Sequence, residues 1–172
     1  MKSALVLLTS FVILLGFSGC KDSWQRDPDG SVGKVWQIAV IPKGTTHEFW
    51  KSIHAGAIKA KRELAKQGTE VAIIWQGPLR EDDRDQQIQV VESFGSGRAD
   101  AIVVAPLDST ALVRPIETAQ ASGIPVVIID SGLNSEEYVS FIATDNFKGG
   151  QMAAEFLADL MNEQGNARMV LS

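Results

Sequence analysis

A single cysteine, Cys20, occurs in the 172 residues of this chain, so no internal disulfide can staple the fold. Positive charge is also in short supply. Sixteen Lys and Arg against 21 Asp and Glu leave a formal charge of −5, which argues against nucleic acid as a partner. The longest apolar run, between Leu5 and Leu15, is too brief to cross a bilayer, and no internal repeat or low-complexity tract is visible. Enzyme signatures are missing too. His47-Glu48 begins like a zinc-protease motif, but Lys51 stands where the second histidine belongs and His54 lies a further turn away, so no metal is expected. Gly95-Ser96-Gly97 lacks the third glycine of a dinucleotide turn and follows a helix where such a turn follows a strand. With neither a Gly-x-Ser-x-Gly elbow nor a Gly-Lys-Ser/Thr phosphate loop, no catalytic residue and no cofactor are expected.

What the chain does carry begins at its first residues. Met1-Lys2, the apolar stretch and the small residues Ser18-Gly19 read as a secretory signal over 1–19. The close on Cys20 resembles bacterial lipoprotein signals, which implies an acylated cysteine as first mature residue and a membrane held through that lipid. An ordinary cleaved signal and an uncleaved anchor stay open as alternatives. All three put the folded part outside the cytoplasm, in the periplasm or at the cell surface. Residues 20–34, polar and without hydrophobic period, read as a flexible tether.

From residue 35, β-branched runs alternate with helical periods, which predicts an α/β fold: a doubly wound parallel sheet with flanking helices. Strands are expected at 35–41, 70–75, 101–104 and 125–129, a weaker one at 139–143, and another at 168–171. Their interiors are continuously apolar, as befits a sheet buried on both faces. Helices are expected over 49–67, 83–94, 110–122 and 147–162. The first carries Phe49, Ile53, Ala57, Ala60 and Leu64 on one stripe, and the second turns Ile88, Val91 and Phe94 inward.

Ligands of such sheets bind beyond the carboxyl ends of the strands, so the loops there are read together. They bring His47, Phe49 and Trp50 after the first strand, Asp108 after the third, Asp130-Ser131 after the fourth, and Thr144-Asp145-Asn146 after the fifth. Flat rings with carboxylate and amide oxygens suit a neutral polyhydroxylated ligand. Each residue has a plainer reading beside this one. Phe49 and Trp50 pack the helix start or stack on a ligand, and adjacent helical positions cannot both face the core well. Asp108 reads first as a helix cap, and Asp145 or Asn146 as the cap of the last helix. Asp130 follows four apolar residues, so its carboxylate requires a hydroxyl-rich ligand or a backbone amide.

With these residues in view, the chain resembles the periplasmic sugar-binding proteins of the ribose and galactose type, soluble receptors of ABC importers. The resemblance rests on Thr46-His47-Glu48-Phe49-Trp50 with Gly56-Ala57, Ala105-Pro106-Leu107-Asp108-Ser109, Gly123 through Ser131, and Ile142-Ala143-Thr144-Asp145-Asn146 with Gly149-Gly150. It implies two α/β lobes closing on a sugar, here a first lobe over 35–144 and the opening of a second over 145–172. It also implies Phe49 and Trp50 sandwiching the sugar, Asp130 taking its hydroxyls, and Thr144-Asp145 at a hinge crossing. His47 and Ser131 stand where ribose binders usually have asparagine and arginine, so another pentose, a hexose or another polyol fits equally. The implied partners are the sugar and an ABC permease, with the receptor a monomer. The rival readings are a sugar-sensing input domain for a chemoreceptor or histidine kinase, a repressor's effector core, and a secreted enzyme.

Overall fold

Short β-branched strands alternate with helices from Trp36 onward. The computed structural model describes residues 33–164; Cys20, the signal, nearly all of the tether and the strand expected at 168–171 lie outside them. The elements are β1 (Trp36–Ile41), α1 (Glu48–Lys66), β2 (Val71–Trp75), α2 (Arg84–Gly95), β3 (Ala101–Val104), α3 (Val113–Ala121), β4 (Val126–Ile129), β5 (Ser140–Ile142) and α4 (Asn146–Gln164). The five strands form one sheet in the order β2-β1-β3-β4-β5, parallel at every junction. Helices cover successive crossovers until β4, after which a loop leads directly to β5.

Alternation along the strands decides where the core lies. Ala39, Ile41, Ile102, Val104, Val126 and Ile128 are buried against Val90, Val91 and Phe94 of α2 and Ile116 and Ala119 of α3. Gly95 lets the two helices close together: a Cβ there would stand 3.1 Å from that of Ala119. The intervening strand residues face the other way. Val103, Val127 and Ile129 are only partly buried, and all of β5 is exposed. Burial on both faces, expected from the continuous apolar runs, is therefore complete on one face alone, because α1 packs chiefly on β2.

One helix, α1, turns a different face inward than expected, while α4 is left largely bare. The inward stripe of α1 keeps Ile53 and Ala57 as expected but is shifted to include Trp50, His54, Ile58 and Ala65, while Phe49, Ala60 and Leu64 are exposed. The cause lies in Trp50, whose indole has a buried seat with a carboxylate partner, and in His54, which stacks on Trp75 with centroids 4.5 Å apart. In α4, the described side chains are exposed apart from partial cover at Ala158 and Met161; Phe147 is 78% and Phe156 67% accessible.

Candidate functional site

The loop after β1 is laced to the loop after β2. Thr45 Oγ1 donates to the Pro78 carbonyl at 3.3 Å, Thr46 Oγ1 to that of Leu79 at 3.2 Å, and Trp50 Nε1 to Glu81 Oε1 at 2.6 Å. Gly77 is required where the loops touch, since a Cβ would come within 2.9 Å of the Pro42 carbonyl oxygen and closer still to its ring. Beneath them lies Gln87, fully buried on α2. Its Nε2 donates to the carbonyls of Pro42 at 3.0 Å and Ala105 at 2.9 Å, and its Oε1 accepts from Leu107 N at 2.8 Å. One amide thus fixes the ends of β1 and β3 relative to each other, with every polar atom paired.

His47 caps α1, its Nδ1 accepting from Phe49 N at 3.2 Å. The adjacent rings then part company. Trp50 is 2% exposed and points inward; Phe49 is 46% exposed, edge-on to it with centroids 5.0 Å apart. The resemblance implies that both rings hold the sugar, but only Phe49 faces solvent, because consecutive helical residues diverge by about 100°.

At the end of β4 the backbone makes a tight closure. Ser131 N–H bonds the Ile129 carbonyl at 2.7 Å around Asp130, whose φ is +64°, and Asp130 N bonds Ile142 O of β5 at 3.0 Å. Such an i to i+2 turn with left-handed backbone is rare and strained. The Asp130 carboxylate was expected to need a ligand or a backbone amide. It instead has two side-chain partners: Lys43 Nζ stands 2.8 Å from Oδ2, and Ser131 Oγ donates to the same oxygen at 3.0 Å while accepting from Lys43. Around Asp130 opens a cleft of about 570 Å³ lined by Phe49, Ile53, Ile129, Ile142, Ala143, Thr144 and Asn146. That volume suits a small ligand, and the lining is mostly apolar with a few convergent polar groups.

So the cleft gathers Phe49, Asp130, Thr144 and Asn146, with Ser131 beside it through Asp130. Other expected residues have local duties. Asp108 Oδ1 accepts from Ala111 N and Thr110 N, both at 2.8 Å, and these bonds hold its carboxyl below the usual range, with Arg84 assisting. The turn capped in this way delays α3 to Val113. Asp145 Oδ1 accepts from Lys148 N at 2.9 Å and caps α4. Lys43 and Gln87 had not been singled out. A lysine directly after the last apolar residues of β1 was a legible sign; a glutamine on the inward face of α2 was the other. Among the described residues no group of three metal-ligating side chains occurs, and no helix is long and apolar enough to cross a membrane.

Known proteins share this fold. A family model described as the periplasmic binding protein domain matches residues 38–171. The ribose import binding protein of Bacillus subtilis is 30% identical over 94% of this chain and 51% of its own length. The D-apiose import binding protein of Actinobacillus succinogenes is 33% identical over 74% of this chain and 39% of its own. Among solved structures, a carbohydrate transporter solute binding protein from Agrobacterium radiobacter in complex with D-arabinose aligns with a TM-score of 0.63 at 36% identity, over 76% of this chain and 42% of that one. A periplasmic solute binding protein of an ABC transporter from Actinobacillus succinogenes, with bound D-allose, gives 0.65 at 28% identity, over 74% and 45%. The chain spans about half the length, or less, of these relatives.

Proposed function

Since the chain belongs to the periplasmic binding protein domain family, matched over residues 38–171, we propose that it is the ligand-binding part of a sugar receptor serving an ABC importer. The observation that carries this reading is the cleft in which Phe49, Asp130, Thr144 and Asn146 share one lining. A ring face takes the C–H side of a sugar, while carboxylate and amide oxygens accept from its hydroxyls. Relatives named for ribose and D-apiose import support the ligand class.

On this reading residues 35–144 form one lobe of the receptor, and the chain from 145 onward starts another. The exposed phenylalanines of α4 are consistent with a helix whose partners belong to that second lobe. Binding occurs without chemistry. Closure of the lobes follows from tighter binding to the closed form, and transport energy comes from the importer's ATPase. The receptor works outside the cytoplasm as a monomer, held to a membrane by lipid on Cys20. Trp50 serves as the backing of Phe49, and His47 as the cap that sets its direction.

The test is thermal shift and calorimetry on the protein as its gene encodes it, against D-ribose, D-allose, D-arabinose, D-apiose and polyols. A ligand bound by the folded state alone raises the melting temperature, by an amount that grows with its concentration. Binding of at least one sugar, lost in Phe49→Ala and weakened in Asp130→Asn, supports the reading; no response to any member of the panel sinks it.

A further inference from the structure

Asp130 holds two oxygens at the cleft, and they are not equivalent. Oδ2 receives both the Lys43 ammonium, at 2.8 Å, and the Ser131 hydroxyl, at 3.0 Å. Oδ1 has no hydrogen-bond partner among the described residues. Lys43 itself does not line the cleft; it reaches the carboxylate from the loop after β1, with both side chains largely covered, at 22% and 32% exposure. A simple surface ion pair between long, mobile side chains would contribute little and select no carboxylate orientation. This pair differs in three respects. It joins two loops 87 residues apart in sequence, it shares a third partner in Ser131, and it grips a residue whose backbone is already strained at φ +64°.

Resting on the sugar-binding reading, we infer that Lys43 is a positioning residue that occupies Asp130 Oδ2, so that Asp130 offers the ligand Oδ1 alone. A free carboxylate can straddle two neighbouring hydroxyls, one on each oxygen. With Oδ2 taken, Asp130 engages a single hydroxyl, and the identity of the adjacent hydroxyl goes unread at this point of the cleft. Lys43 thereby sets selectivity without touching the ligand. Its length matters as well as its charge. Arginine would present a planar fork to both carboxylate oxygens at once and take Oδ1 away from the ligand.

The experiment combines Lys43→Met and Lys43→Arg with Asp130→Asn, using calorimetry on the full natural protein. The probes are D-ribose, D-allose, D-arabinose and D-apiose, followed by monodeoxy derivatives of whichever binds most tightly. In the parent protein, one deoxy position should lose its effect once Asp130 is replaced. In Lys43→Met, two adjacent positions should become sensitive to Asp130. Lys43→Arg should keep the unliganded melting temperature yet bind about tenfold or more weakly, the reverse of what a purely structural ion pair predicts. Parent-like affinity in Lys43→Arg, or an unchanged deoxy profile in Lys43→Met, overturns the inference while leaving sugar binding intact. Failure of the parent to bind any sugar overturns both together. Should Lys43→Met not fold, the affinity of Lys43→Arg decides alone.

Discussion

The two faces of the sheet received the same kind of residue and were treated differently. On one, Ile102, Val104, Val126 and Ile128 are sealed beneath α2 and α3. On the other, Val103, Val127 and Ile129 are half-covered, β5 is bare, and α4 exposes its phenylalanines. Apolar sequence thus marks surfaces that can be covered, while topology decides which of them this chain covers itself. Stability should therefore reside mainly on the α2–α3 face, and ligand recognition at the carboxyl edge beside the open one.

The sharpest way to break this division is the ring pair on α1, the place where the open side buries a large side chain. Trp50→Ala should lower stability by about 3–5 kcal/mol, the usual cost of emptying a packed aromatic site. Phe49→Ala should cost under about 1 kcal/mol and remove the sugar-induced rise in melting temperature. Urea unfolding with and without sugar would separate the two, and equal stability losses would refute the inward and outward assignment.

Comparing the faces directly, Ile102→Ala should cost about 3 kcal/mol by denaturant titration, whereas Val127→Ala should cost no more than about 1. Similar values would mean that the open face is as well packed as the sealed one. A third variant probes the link between faces and loops. Gln87→Leu strands the carbonyls of Pro42 and Ala105 and the Leu107 amide, and should cost about 2 kcal/mol while weakening sugar binding through displaced loops.

The smallest expected effect is acid sensitivity. Asp108 has a folded pKa lowered mainly by the Ala111 N–H, then by that of Thr110, and Asp100 one lowered mainly by the Lys34 ammonium, then by the Gln37 N–H. A depressed carboxyl pKa stabilises fully above the unfolded value, near about 3.9, and the contribution fades as pH falls through the lower folded value. Asp108→Asn keeps an acceptor for the turn, so it should flatten the acid limb of stability below about pH 4 with little change at neutrality. A steeper limb in the variant would contradict this.

Most strands were legible because β-branched runs between turn residues leave few alternatives; β1, β2, β3 and β4 fall within one residue of expectation. The face of α1 was not. Its apolar residues admit two stripes one residue apart, and the choice was made by Glu81, distant in sequence, accepting from Trp50. The cleft was half-legible. Phe49, Asp130, Thr144 and Asn146 could be gathered from the rule that parallel sheets bind at their carboxyl edge. Lys43 and Gln87 leave only faint local signs, a lysine just after β1 and a glutamine on an inward helix face, because the partners that give them weight lie 87 and 18 to 45 residues away.

Where α4 begins has a mechanical meaning. Thr144 and Asn146 stand in the lining of the cleft, and Asp145 between them fastens the first turn of a 19-residue helix. That helix is a rod about 28 Å long. A tilt of roughly ten degrees at its root would carry the far end on the order of 5 Å, so small adjustments at the cleft would be magnified at a distance. The fold has planted a long lever with its root at the cleft.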